Sequence, residues 1–320
     1  MAQISIETIN DNISMIDFEL SGVKRIGALY LIKGDKKTCL VDSGTKESAK
    51  RIIKALYSVQ EFPPDMIILT HSHWDHTQGA PIFCSEAEKR GKKITVLASE
   101  KAISNLKDQS WNSVFDEKLK FVNVMDVEPL MEGQIIDLGG IELEINDFSG
   151  HCADDIALYD KKNKTIFLGD SLGYKFENYL IFPPFMPPFW NKDGFYSAAE
   201  KLKQIDYEKI YLAHYGCLEG KEAQDFPNDM TTALETWWNV FVESEKKGKL
   251  EDVTYMRETI VKEASIVMPE LEISKTSMRI MLSLMDTGRK IIGKKPIDVG
   301  AIQLEGFIGW LVKGYKGATK

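Results

Sequence analysis

Long apolar runs are missing from this 320-residue chain. No stretch reaches the ~18 apolar residues that a membrane-spanning helix requires, so a membrane partner is not expected. The opening segment, MAQISIETINDNISMIDFEL, carries acidic residues and no apolar core, and does not read as a secretory signal. Positive charge is also in short supply. Forty Lys and Arg face 48 Asp and Glu, a formal net charge of −8. An acidic surface does not attract phosphate backbones, so long nucleic acid is not an expected partner. The four cysteines, Cys39, Cys84, Cys152 and Cys217, are widely spread and form no CxxC pair. A reduced, cytoplasmic protein is the simplest expectation, although two disulfides remain arithmetically possible. Histidine is as scarce, with five residues, yet three of them fall within the six positions HSHWDH, residues 71–76.

What is present is otherwise ordinary. Hydrophobic residues make up 43% and charged residues 28%, as in a globular chain with a sizeable core. IGALYLIKGDKKTCLVDSG sets two apolar runs around a turn, KGDKK, and predicts a hairpin. TKESAKRIIKALYSV has helical spacing, with Thr45 or Ser48 as the cap. DMIILT, KITVLAS, KFVNVM, QIIDLGGIELEIND, DIALYDKKNKTIFLGD and KIYLAH read as strands, and SEKAISNLKD and GFYSAAEKLKQI as helices. This mixture predicts two sheets packed face to face and covered by helices, over residues 1–226. Residues 227–320 read as a helical extension, whose first helix opens at Asn228 after Pro227. The Trp237–Trp238 pair and the Met-rich run Met278–Met285 would then serve as core, as a face for a homodimer, or as a cap over substrate.

Imidazole nitrogen and carboxylate oxygen are the ligands that divalent transition metals favour. His71 and His73, two apart on an extended loop, can grip one ion, and the adjacent Asp75 and His76 can face a second point close by. Each ion then needs further ligands. His151, in FSGHCADD, follows one predicted strand; Asp170 ends the strand TIFLGD; His214 ends KIYLAH. Every histidine therefore lies in the first loop or at a strand end, and the helical extension has none.

In this order THSHWDH, SGH, LGD and AH resemble the metallo-β-lactamase fold superfamily, over about residues 10–220. The resemblance implies an α/β (α+β) fold, a four-layer αβ/βα sandwich, here with an α-helical C-terminal extension. It implies that His71, His73 and His151 hold one metal, that Asp75, His76 and His214 hold another, and that Asp170 bridges them. LVDSGT matches the family's early strand ending in an acid, here Asp42, which supports the histidine loop from behind. Asp170, where the true β-lactamases carry Cys, resembles the glyoxalase II and phosphodiesterase-like branches. GHCADDIALYD together with the helical extension is similar to glyoxalase II-like and quorum-signal thioesterase-like members, although no basic glutathione-binding signature is identified.

The expected activity is metal-dependent hydrolysis. Two divalent ions, zinc first and iron or manganese as alternatives, would lower the pKa of a water to about 7 and so provide a hydroxide. Asp75 would orient it or take its proton. The target is an acyl carbonyl or a phosphorus, and a thiolate leaving group, which needs no strong acid, favours a small-molecule thioester. Tyr174 and Tyr215 lie near ligands and read as packing or as acids. Cys152 and Cys217 read as small buried residues, as soft ligands or as redox-sensitive thiols. YLIFPPFMPPFWNKDG, around Phe182–Trp190, reads either as an apolar wall over the metals or as a loop packed on its own core. A phosphodiesterase, a diiron redox protein and a noncatalytic binding protein are the alternatives. Diiron oxidoreductases typically carry Glu at the position of His73 together with a flavodoxin domain, and a retired site would be free to lose ligands.

Overall fold

The computed structural model describes residues 4–176, 180–265 and 299–319, with a few positions between 273 and 290. Cys39, Leu40 and Val41 share one strand, yet Leu40 joins a different buried cluster from its two neighbours. Side chains alternate across a strand, so this strand is covered on both faces and belongs inside a layered sandwich.

The first sheet runs β1 (Ile6–Thr8), β2 (Ile13–Asp17), β3 (Ala28–Lys33), β4 (Thr38–Val41), β5 (Met66–Leu69), β6 (Thr95–Ser99) and β7 (Val127–Leu130), in that spatial order. Its first four strands pair antiparallel and its last four pair parallel. The second sheet contains β8 (Ile135–Asp137), β9 (Glu142–Asp147), β10 (Ile156–Asp160) and β11 (Thr165–Gly169). A separate hairpin, β12 (Tyr174–Phe176) and β13 (Leu180–Phe182), follows before β14 (Lys209–Leu212) and β15 (Gly216–Glu219) extend the second sheet beyond β11. Only β11 and β14 pair parallel in that sheet. The helices are α1 (Lys46–Ser58), α2 (Trp74–Thr77), α3 (Ala80–Glu88), α4 (Ile103–Lys107), α5 (Lys192–Gln204), α6 (Gly220–Lys246), α7 (Val253–Glu263) and α8 (Val299–Ala318). Among the described residues, no helix is long and apolar enough to cross a membrane.

Ile13, Met15, Tyr30 and Ile68 of the first sheet meet Ile145, Leu158, Phe167 and Tyr211 of the second in a core between the sheets. The outer faces join a second core with helical residues such as Ile52, Phe83, Phe195, Leu202 and Trp237. Local signals start the helices. Thr45 caps α1, its hydroxyl accepting from the Ser48 amide at 3.1 Å while the Ser48 hydroxyl accepts from the Thr45 amide at 3.1 Å. Such a capping box stabilises by about 1 kcal/mol.

Two expectations change. Residues 120–125 are not a strand, and the edge strand β7 forms at Val127–Leu130 instead. Val122 and Met125 are exposed, so that apolar run marks no inner strand. The helix expected from Asn228 begins at Gly220 and runs through Pro227. Proline has no amide hydrogen, which frees the carbonyl of Ala223; the Tyr207 hydroxyl donates to it at 3.1 Å, so the break is repaired from outside the helix. Trp237 is buried against Phe182, as expected of core, whereas Met281 and Met285 are about half exposed and Met278 lies outside the described residues.

Candidate metal centre

The loop that follows β5 changes conformation part-way. His71 and Ser72 lie in a bend, His73 is extended and α2 starts at Trp74, so His71 and His73 precede the helix while Asp75 and His76 project from its first turn. The loops after β9, β11 and β14 bring His151, Asp170 and His214 to the same place. Gly150 permits this approach, since a Cβ there would meet the Ser171 carbonyl oxygen at 2.1 Å.

All seven candidate ligands converge. His73 Nδ1 lies 3.0 Å from His71 Nε2 and 2.7 Å from His151 Nε2. Asp170 Oδ2 lies 3.3 Å from both His76 Nε2 and His214 Nε2. Asp75 Oδ2 is 3.8 Å from His76 Nε2 and 3.5 Å from His214 Nε2. The five histidines and Asp170 are buried, and Asp75 reaches the surface of a cleft.

The far side of four of the five rings fixes the tautomer. His151 Nδ1 donates to the Pro184 carbonyl at 2.7 Å, and His214 Nδ1 donates to the Ile26 carbonyl at 2.8 Å. His76 Nδ1 bonds the Asp42 carboxylate at 2.8 Å. The Thr70 hydroxyl spends its hydrogen on Asp42, so it accepts from His71 Nδ1 at 3.1 Å. Four Nε2 atoms therefore present lone pairs to the interior. Asp42 holds this arrangement from a left-handed backbone conformation (φ 62°), which an aspartate tolerates better than most residues. The His76 Nε2 and Asp170 Oδ1 atoms are buried without a hydrogen-bond partner. Lone pairs packed this closely, beside buried carboxylate oxygen, need a cation among them, and the N and O donors suit a divalent transition metal.

Electrostatics separate the ligands. Burial and the neighbouring imidazoles hold His71 and His73 well below the usual histidine range, and burial also lowers His151. Burial opposes charge on His76 and His214 too, but Asp170, with Asp75 and Asp42 beside it, outweighs it: His76 is raised well above its usual range and His214 to about 10. Asp170, despite its burial, is held well below the usual carboxylate range by His214 and His76. Without metal, protons thus stand where cations belong.

Among the other candidates, Tyr174 lines the cleft with its ring centroid 4.8 Å from that of His214, and burial keeps its phenol protonated. Tyr215 packs beside the core between the sheets. Cys152 lies within 4.8 Å of the His71, His73 and His151 ligand atoms, but burial and Asp155 hold it as a thiol, with Sγ 3.6 Å from Asp155 Oδ1. Cys217 sits on β15, half-buried, its thiol donating to the Leu218 carbonyl at 3.7 Å and to Glu219 at 3.8 Å. The loop at Phe182–Trp190 plays both expected parts: Met186 lines the cleft, whereas Phe185 packs on Phe241 and Trp238. Asp154, Asp155 and Ser72 form a buried support that went unassigned in the sequence. Asp155 accepts from the His151 and Cys152 amides, and Ser72 donates to Asp154 at 2.6 Å. The adjacent acids in GHCADD were its one visible sign. Also unforeseen are the cleft residues Phe115, Phe307 and Trp310.

The sequence profile of the metallo-β-lactamase superfamily matches residues 23–214. The chain belongs to this superfamily. It is 25% identical to acyl-coenzyme A thioesterase MBLAC2 of Gallus gallus over 163 residues, 44% of this chain and 56% of that protein. It is 31% identical to hydroxyacylglutathione hydrolase of Ruegeria pomeroyi over 136 residues, 42% of this chain and 43% of that protein. The matches thus span about half the length of these curated relatives. Among solved structures, the subclass B3 metallo-β-lactamase BJP-1 of Bradyrhizobium japonicum superposes with a TM-score of 0.56 at 19% identity, covering 73% of this chain and 93% of that one. The superfamily protein ST1585 of Sulfolobus tokodaii superposes with a TM-score of 0.55 at 20% identity, covering 70% and 86%. Fold and family are those of metal-dependent hydrolases, and the superfamily sandwich here carries the C-terminal helices α6, α7 and α8.

Proposed function

We propose that this superfamily member is a dinuclear hydrolase that cleaves a thioester, or a similar small ester, with an apolar acyl group. One observation carries the reading: Asp170 Oδ2 lies 3.3 Å from His76 and His214 and 3.9 Å from His71, so a single carboxylate adjoins both groups of imidazoles. His71, His73 and His151 would hold one cation, Asp75, His76 and His214 a second, and Asp170 both. Zinc suits this donor set, and iron or manganese also fits. Two ions so held supply an electrophile for a carbonyl and a nucleophilic water at neutral pH.

The chain's own residues do the rest. Asp75, at the cleft surface, orients the nucleophile and receives its proton. Tyr174 presents a protonated phenol to the same space. Leu20, Ile26, Phe115, Met186 and Phe307 give the cleft apolar walls that exclude water. Among the described residues that line it there is no Lys or Arg, so a phosphodiester would meet no side-chain cation. The thioesterase relative supports the same substrate class.

The test is metal content by mass spectrometry on protein purified without added metal, followed by turnover of a thioester panel and of bis(p-nitrophenyl) phosphate. About two metal equivalents per chain with thioester turnover are expected for such a site. Phosphodiester turnover alone would overturn the substrate class. A protein that binds no metal and stays inert after reconstitution would overturn the reading entirely.

A further inference from the structure

We infer that Gly306 of α8 sets the length of acyl group that the centre accepts, with Phe307 and Trp310 forming the wall against which that group packs. The inference rests on the thioesterase reading above. All three residues line the same cleft as His73, Asp75 and Asp170. Gly306 and Trp310 are four residues apart, so they lie on one face of the helix, one turn from each other.

Glycine weakens a helix interior relative to alanine, so a glycine in α8 can mark a close approach. Gly314 marks one. A Cβ there would meet the Phe185 carbonyl oxygen at 1.9 Å, so only glycine lets the helix lie this close to the loop before α5. Gly306 marks none: among the described residues, a Cβ there would meet nothing within 4 Å. Gly306 lines the cleft, so the space its missing side chain leaves adjoins it.

The wall is fixed, and only a fixed wall measures length. Trp310 Nε1 donates to the Phe115 carbonyl at 3.1 Å, Lys313 Nζ to the Val114 carbonyl at 2.6 Å, and the Tyr315 hydroxyl to Glu245 at 2.7 Å. Leu304, Ile308 and Leu311 bury the opposite side of the helix. The cleft has a volume of about 170 Å³. An apolar cavity of about 150 Å³ holds one benzene, so this one, which the ester group must share, has room for at most roughly six carbon atoms.

The experiment measures kcat/KM of the metal-loaded enzyme on S-acyl thioesters of N-acetylcysteamine, from acetyl to decanoyl. Burying a methylene is worth about fourfold, so the wild-type value should climb about fourfold per methylene and level off near hexanoyl. Gly306→Leu fills the cleft with a branched side chain. It should level off at shorter chains and lower the hexanoyl-to-acetyl ratio by at least about tenfold. Gly306→Ala, the gentler change, should lower that ratio by about one methylene's worth. Gly309→Leu is the control: among the described residues a Cβ there also meets nothing within 4 Å, but Gly309 does not line the cleft. Its chain-length profile should match the wild type. Gly306 variants with the wild-type profile, or a Gly309→Leu profile shifted as far as theirs, would overturn the inference and leave the thioesterase reading standing. A wild-type enzyme that turns over no thioester of any length would overturn both.

Discussion

The two candidate ligand groups differ in charge although one loop begins both. His71, His73 and His151 form a set of three imidazoles, all held below their usual pKa. His76 and His214 face the carboxylates of Asp75 and Asp170 and are held above it. The switch from extended chain to helix at Trp74 divides HSHWDH between the two. On the proposed two-ion reading, the first group is a ready set of neutral donors, and the second, charge-compensated, would exchange protons for metal. A short motif would then build two unlike sites where the backbone changes conformation inside it.

The largest effect expected comes from removing what the groups share. Asp170→Ala should lower hydrolysis by roughly a thousandfold or more, the scale on which enzymes lose electrostatic stabilisation, with metal content below two equivalents and the helical circular dichroism retained. Unchanged turnover in metal-analysed Asp170→Ala protein would sink the two-ion mechanism. A smaller effect, larger on the second ion, should follow Asp42→Ala, since Asp42 bonds His76 Nδ1 directly and reaches His71 only through Thr70. The second ion should bind about 10- to 100-fold more weakly, the usual cost of losing such a support. The first should be lost much less, as read by isothermal titration; equal weakening of both would erase the distinction. The subtlest test is pH. At neutral pH without metal, His76 and His214 carry protons because their pKa values are raised, His214 to about 10. An ion entering there must displace them, so its affinity should rise with pH across the neutral range. The lowered histidines of the first group are already unprotonated, and affinity there should be nearly flat. Metal titration in lightly buffered solution with an indicator dye should show one equivalent releasing protons and the other releasing few.

Much of the site was legible because ligands must be His or Asp and few histidines exist to choose from. Strand ends placed His151, Asp170 and His214, and all seven expected ligands meet. What escaped was information that resides in the main chain or in distant contacts. The Pro184 and Ile26 carbonyls that orient His151 and His214 carry no side-chain signature. The start of α6 was displaced because Pro227 looks like a boundary until Tyr207 is seen to satisfy Ala223. KFVNVM has the alternation of a strand, but nothing local announced that its neighbour Val127–Leu130 would pair with β6 instead. The cleft wall joins Leu20 to Trp310, almost the whole length of the chain, and no periodicity links them.

Ile26 has two tasks that share one residue but not the same atoms. Its carbonyl steadies His214, while its side chain lines the substrate cleft. Replacing the side chain leaves the carbonyl in place. Substrate preference at this position can therefore drift, by chance or by directed evolution, without ungripping the metal ligand. An alanine scan would score Ile26 for what it does to substrate and miss what it does for His214. The scaffold is in this sense open to new specificities at a point where its chemistry is protected.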